Sequence, residues 1–503
     1  MALSGKVLQK KAKKLELRGL QKNKINPMHL SDLDELLNDI FVSCLPKPID
    51  YDHRRDLVRI FNAIAKEIYG NADESPVVEA FGSFVMDIFC AGSDIDLSVN
   101  FSNTAVKISR QKRIETLRKF AKKFHTLQRG GHVDRLQTIT TARVPVVKVI
   151  DRGTGIECDL SVENRDGIAK SQIVHMVSMI DERFRKLSFL VKAWAKAHGI
   201  NSSKDRTLNS LSLVSLVAFH LQTRDPPILP PFSALFKDGT DPGSVARNVH
   251  NYLDYGKKNI ESLAELFITL LIKLESVETL WKEGLCASLY EGSWTSKSWD
   301  SELNFISVED FTEQSQNVAR AVGRQEVKKI YECVQYSLGY LLTFLGGRMQ
   351  RPTLRDILFG VNAVSTLPDI STRNPVDGEN TASPVPSNPR PMKKQRIMEG
   401  RKGQQFVEGS GRKQNYDASR LGNNLYHSAG TLTSAPTQFP IGIEGSHGQP
   451  LNQPIIYPQT SPWFGAPPHS QDPIFPNQYP GQFNSLSLQD LIISGLLLGS
   501  FYP

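Results

Sequence analysis

Three short features of this chain have the residue types and spacing for phosphate chemistry. Gly82-Ser83 follows an apolar run that ends at Phe81. A glycine there lets the backbone turn sharply and lets a ligand approach closely, and the serine adds a hydroxyl donor. Outward-facing amides at the start of a helix over 84–90 would bind an anion. Asp94-Ile95-Asp96 lies in the alternating stretch Ser93 to Val99. In a strand, residues i and i+2 share a face, about 7 Å apart, so two carboxylates repel unless a cation sits between them. Asp159, in Glu157-Cys158-Asp159-Leu160-Ser161, has apolar neighbours that mark the opposite face. The first two features each have a plain alternative when taken alone: a turn, and a solvated edge or turn pair. Together the three features place three like charges near a phosphate cradle, which raises carboxylate pKa values unless metal is present. Three acidic ligands suit two Mg²⁺ or Mn²⁺ ions in nucleotidyl transfer. One ion would activate an RNA 3′-hydroxyl and the other would hold the triphosphate. Asp94 and Asp96 would anchor both ions, and Asp159 would complete the site at the nucleophile.

The elements that must position these residues are legible in outline. A strand over 76–81 precedes the glycine, and one over 93–99 carries the acid pair. Residues 108–127 read as a basic helix. Residues 144–150 and 156–162, joined at Asp151-Arg152-Gly153-Thr154-Gly155, read as a hairpin that delivers Asp159 beside the pair. Helical spacing marks 31–66, with a second helix over 54–68, then 173–199, 207–222, 244–255, 259–276 and 313–346. The expected fold is therefore a small α/β palm, a mixed sheet with helices, followed by a mostly helical region.

Charge and proline frame that core. The 503 residues suggest two or three domains. Residues 1–30 hold eight Lys/Arg against one Glu, and the whole chain is +8. They read as a basic, solvated arm, with phosphate contact as the functional alternative. Nineteen of 29 prolines follow Arg351, in a stretch rich in Asn, Gln, Ser and Gly. Residues 351–503 are therefore expected to be disordered. The expected domains are 1–30, 31–165, 166–347 and 351–503. The five cysteines form no CxxC pair, which excludes a zinc ribbon and a disulfide scaffold and fits a reducing interior. No signal peptide and no membrane span are expected, because apolar runs are too short.

At Gly82, Ser83, Asp94, Asp96 and Asp159 the chain resembles the polymerase-β-like nucleotidyltransferases, and within them the terminal uridylyltransferases and noncanonical poly(A) polymerases. The likeness covers about 50–346. Leu190-Val191-Lys192-Ala193-Trp194-Ala195-Lys196 matches the family's VKxWAK segment. It implies that Lys192 and Lys196, one turn apart, reach a triphosphate. Ser210, in Thr207-Leu208-Asn209-Ser210-Leu211, matches a phosphate-contacting serine. Val308-Glu309-Asp310-Phe311 and Asn317-Val318-Ala319-Arg320 match the nucleotide-recognition region of a PAP-associated domain. Three positions depart from the pattern. Leu211 stands where a base-stacking Tyr is common, Gln316 where several uridylyltransferases have His, and Lys170 where Asn is common near the ribose. A glutamine offers donor and acceptor atoms, so it could read uracil or adenine.

The nearest likeness is to plant uridylyltransferases that tail unmethylated small RNAs. It rests on Val162-Glu163-Asn164 through Lys170-Ser171-Gln172, on Thr207 to Gln222, on Pro226 to Phe232 and on a Pro-rich tail. It implies UTP as substrate, oligouridylation of microRNA and siRNA 3′ ends, an Argonaute partner through the tail, and residence in nucleus and cytoplasm, including RNA granules. Lys107, Arg110, Lys112, Arg113, Arg118, Lys119, Lys122 and Lys123 would track an RNA backbone. Lys393-Lys394-Gln395-Arg396 reads as an import signal, Trp463-Phe464-Gly465 as a docking motif, and 486–498 as a partner-binding helix. The alternatives are a poly(A)-adding or CCA-like enzyme, a small-molecule nucleotidyltransferase, and a non-catalytic RNA-binding scaffold on the same fold.

Overall fold

The computed structural model describes residues 4–70, 75–102, 108–299 and 305–360. Helices α1 (Gly5–Lys22), α2 (Leu30–Cys44) and α3 (Pro48–Tyr69) lead into β1 (Val77–Phe81) and β2 (Ile95–Asn100). Helix α4 (Arg110–Arg129) is followed by β3 (Val133–Ile139), β4 (Val146–Asp151) and β5 (Glu157–Val162). The five strands form one sheet in the order β1-β2-β5-β4-β3, with β2 and β5 parallel and the other pairs antiparallel. Period-two alternation gives this sheet two unlike faces. Ile95, Leu97, Val99, Cys158, Leu160 and Val147 bury against Leu57, Phe61 and Ile64 of α3 and Leu117, Phe120 and Phe124 of α4. Each such side chain contributes about 1.5–3 kcal/mol by burial. The other face carries Asp96, Asp159, Ser98 and Ser161 and is left for chemistry.

The remaining elements are helical except for one short hairpin. They are α5 (Arg165–Val177), α6 (Glu182–Ala197), α7 (Ser210–Gln222), α8 (Phe232–Leu235), α9 (Pro242–His250), α10 (Leu263–Ser276), the hairpin β6 (Leu285–Ser288) and β7 (Ser293–Ser296), α11 (Arg324–Leu345) and α12 (Arg351–Phe359). Helix α7 is buried from Ser212 to Gln222, as expected of the central helix of a second core. A capping box of Ser262 and Glu265 starts α10. No helix among the described residues is long and apolar enough to cross a membrane.

Several sequence expectations are corrected. Residues 5–22 are not a solvated arm. Leu8 and Ala12 bury fully, and Glu16 accepts from the buried Lys273 ammonium at 2.7 Å and from the Trp294 indole. The lysines of α1 mask an amphipathic stripe, so charge alone hides the helix. Residues 84–87 form turns and 88–90 are irregular, not a helix, and the backbone passes through Asp87 at φ +56°. The helix expected over 173–199 is two, since Asp181 caps a new helix through the Arg183 amide at 3.0 Å. Residues 313–323 are loop rather than the start of α11. Arg351–Phe359 belongs to the helical region, with Leu354 and Leu358 fully buried, so the tail cannot begin at 351. The import signal at 393–396, the Trp463 motif and the 486–498 helix lie outside the described residues.

Candidate active site

Strand register assembles the acids. Asp96 and Asp159 are direct partners across the parallel β2–β5 pair, so both carboxylates emerge on the open face about 4.8 Å apart along the ladder. Asp94, exposed, stands one residue before β2 on the same side as Asp96. The loop ahead of Asp94 is fixed by Arg54 of α3. Its fully buried guanidinium donates to the Ala91 carbonyl at 3.0 Å, to the carbonyl of Ser93, and to its own helix at Asp50 at 2.9 Å. It also lies 4.7 Å over the Phe89 ring. At the far end of β5, the Asn164 amide donates to Ser98 Oγ at 2.9 Å, which ties the exit of β5 to β2.

Gly82 occupies the left-handed region at φ +71°, and a Cβ there would fall 2.0 Å from Asp96 Oδ2. The glycine is thus the space Asp96 uses. Its amide donates to Ser171 Oγ of α5 at 2.8 Å. The turn that follows closes through the Met86 amide on the Gly82 carbonyl at 3.1 Å and the Ile88 amide on the Ser83 carbonyl at 3.0 Å. Among the described residues, the amides of Ser83, Phe84 and Val85 have no backbone partner, so the cradle is a turn and not a helix end.

Electrostatics follow from this crowding. Burial, then Asp94 and Asp159, push the Asp96 carboxyl up to about 8. Burial also raises Asp159, against the opposing pull of Lys148. Lys148 of β4 is the register partner of Asp159, and its ammonium sits 2.6 Å from Asp159 Oδ2 and 2.7 Å from Glu157 Oε1. Burial works against that charge, but the hydrogen bonds to Asp159 and Glu157 outweigh it and raise its pKa. Lys192 of α6 donates to the Ile88 carbonyl at 2.7 Å; burial lowers it to about 8, opposed by Asp94 and Asp96.

The donor set fits a hard divalent cation. Three carboxylates lie on or beside one face of the sheet, and Asp159 Oδ1 is buried with no hydrogen-bond partner. As the side chains stand, no set of three His, Cys, Asp or Glu among the described residues is close enough to hold one ion. Lys148 occupies the other Asp159 oxygen.

The structure brings Gly82, Asp94, Asp96, Asp159 and Lys192 together, with Ser83 in the adjoining turn. Lys196 lies one turn beyond Lys192, exposed. Ser210 opens α7 beside Asn201, 3.4 Å away. Gln316 is partly buried, and its carbonyl accepts from the Asp310 amide at 2.9 Å. No contact joins Ser210 or Gln316 to the acids among the described residues. Lys170 is not free to meet a ribose: it is buried, 2.7 Å from Asp166 Oδ2 and also paired with Asp310. Asn317 of the matched 317–320 stretch is likewise committed, bonding the Val308 and Ala319 amides and the Ile306 carbonyl. Lys148, Ser171 and Arg54 went unread in the sequence. Only Lys148 carried a signal, the alternation of Val146-Val147-Lys148-Val149 that sets it on the open face.

The chain is similar to several known proteins. The family described as "Poly(A) RNA polymerase, mitochondrial-like, central palm domain" matches residues 33–179. Protein HESO1 of Arabidopsis thaliana is 33% identical over 60% of this chain and 62% of its own length. Poly(A) RNA polymerase GLD2-A of Xenopus laevis is 35% identical over 40% of each chain. The chain thus spans less than two thirds of either relative. A crystal structure of mtPAP in complex with UTP aligns with TM-score 0.52 at 21% identity, covering 69% of this chain and 74% of that one, a likeness of fold.

Proposed function

We propose that the chain belongs to the polymerase-β-like nucleotidyltransferases, in the branch of terminal uridylyltransferases and noncanonical poly(A) polymerases, and that it adds UMP from UTP to RNA 3′ ends without a template. The observation that carries this reading is the register of Asp96 against Asp159, with Asp94 two residues ahead. Asp94, Asp96 and Asp159 would hold two Mg²⁺ or Mn²⁺ ions. When bound, such ions acidify an attacking hydroxyl and neutralise a leaving diphosphate. The protein's own groups supply the rest. The Gly82–Val85 turn offers amides and the Ser83 hydroxyl to phosphate oxygens. Lys192, held by the Ile88 carbonyl, adds positive charge beside Asp94 and Asp96. Lys196 and Ser210 extend the phosphate contacts, and Gln316 reads the base.

Preference for UTP rests on the resemblance of residues 162–172, 207–222 and 226–232 to plant small-RNA uridylyltransferases. Small RNAs as substrates, an Argonaute partner and a nuclear and cytoplasmic location are part of the same proposal. The test is extension of a defined RNA with each NTP supplied singly. UTP is expected to give the longest products; preferential use of ATP would make the protein a poly(A)-adding enzyme. Gln316→His is expected to sharpen the choice of UTP over ATP. Absence of any metal-dependent extension would leave a non-catalytic scaffold.

A proton-linked signature follows from Asp96. With its pKa near 8, the carboxyl is mostly protonated at pH 7, and a metal ion requires it ionised. Calorimetric Mg²⁺ titrations at pH 7, run in buffers of different ionisation enthalpy, should show release of about one proton, declining by pH 9. The sign for the metal-free fold is the reverse of a usual carboxylate. A pKa raised from 3.8 means that this group's contribution to stability falls as pH rises between about 4 and 8. Zero proton release at pH 7 would contradict it.

A further inference from the structure

We propose that Lys148 is a resident counter-ion that exchanges with the divalent cation at Asp159, using Glu157 as its second seat. The inference rests on the metal reading above. Lys148 faces Asp159 across the β4–β5 ladder, and Glu157 lies two residues before Asp159 on the same face of β5. One ammonium therefore bridges two carboxylates, at 2.6 Å and 2.7 Å. The two seats differ in wetness. The Asp159 side chain is 15% exposed and that of Glu157 is 44% exposed. An ammonium can leave the first, retain the second and regain water as it moves outward. Asp159 Oδ1, buried and unpartnered, stays available to an arriving ion while Oδ2 is engaged.

This arrangement solves a problem the fold creates. Three acids on one face repel when no cation is present, and Asp159 would otherwise swing toward solvent. Lys148 holds Asp159 on the sheet in the metal-free protein, at the cost of competing with the ion that later needs it. Lys148 is thus a positioning residue: it touches a ligand carboxylate and not the reacting atoms.

The test is Mn²⁺ affinity, read from the electron paramagnetic resonance signal of free Mn²⁺ on the full chain without nucleotide. Lys148→Met keeps the bulk of the side chain and removes the competitor. Mn²⁺ is expected to bind about tenfold tighter, the scale of effects next to metal ligands. The metal-free protein should also melt at lower temperature than wild type, with the difference closing as Mn²⁺ is added. Glu157→Gln weakens the second seat and is expected to weaken Mn²⁺ binding in the wild-type background. Simple loss of a nearby charge would do the same, so the double variant decides. If the ammonium exchanges seats, Glu157→Gln has little further effect once Lys148 is Met. Equal weakening in both backgrounds, or unchanged or weaker binding by Lys148→Met, overturns the proposal. Wild type and Asp96→Asn binding Mn²⁺ equally would instead remove the metal reading itself, and this proposal with it.

Discussion

Asp96→Asn is expected to reduce nucleotide addition by about 10³-fold or more while leaving the protein folded. The substitution is nearly isosteric and removes one anionic oxygen at the centre of the acid trio. A metal's charge stabilisation is worth several kcal/mol, and each 1.36 kcal/mol is tenfold in rate, so losing the central ligand gives about three decades. The stability effect should run the other way. Asp96 is held among like charges, and burial with Asp94 and Asp159 pushes its carboxyl up to about 8. A neutral amide relieves that repulsion, so the metal-free variant should melt no lower than wild type, and higher above pH 8. Single-turnover extension of a 3′-hydroxyl RNA, paired with thermal melts, checks both. Full activity in Asp96→Asn would reject the site. Loss of activity with a collapsed melt would mean that the residue is structural.

Gly82→Ala carries the second large effect, for a steric reason. At φ +71° an L-residue is strained by about 1–2 kcal/mol, and the new Cβ would also lie 2.0 Å from Asp96 Oδ2. Asp96 must then rotate or β2 must shift. Displacement of a catalytic group by about 1 Å can lower the rate about 10²-fold. Strain and collision are separable with a matched control. Gly155 has φ +72°, but a Cβ there meets nothing within 4 Å. Gly155→Ala should therefore show a similar drop in melting temperature and near-normal extension. Equal losses of activity in the two variants would show that backbone strain, and not the clash with Asp96, is responsible.

What could be read from the sequence divides along physical lines. Alternation in 93–99 and 156–162 placed Asp96 and Asp159 on polar faces, because the period of two is a local property. That the two strands pair in parallel and in register is a long-range fact, carried by no residue spacing. The β4–β5 hairpin was legible from its turn residues. β3 was not, since Arg135 takes φ +49° and its register shifts between Asp134 and Gln137. Helix α1 was missed because eight basic residues in 1–30 outweighed a narrow apolar stripe. Lys170 shows the limit of carrying a role over by position: its place in the chain is right for the cleft, but Asp166 and Asp310 consume its charge. Arg54 had no sequence signal, because its partners are backbone carbonyls, which every residue owns.

The contact between Glu16 and Lys273 bears on where this protein can be cut. The Lys273 side chain is only 4% exposed, and its ammonium rests on Glu16 and on Thr223 Oγ1, at 2.7 and 2.8 Å. A fragment trimmed to begin near residue 31 would strand a cation in an apolar interior, among the rings of Phe219 and Trp294. Helix α1 is thus a keystone for the distant helical lobe, and a folding unit that keeps Lys273 paired includes it.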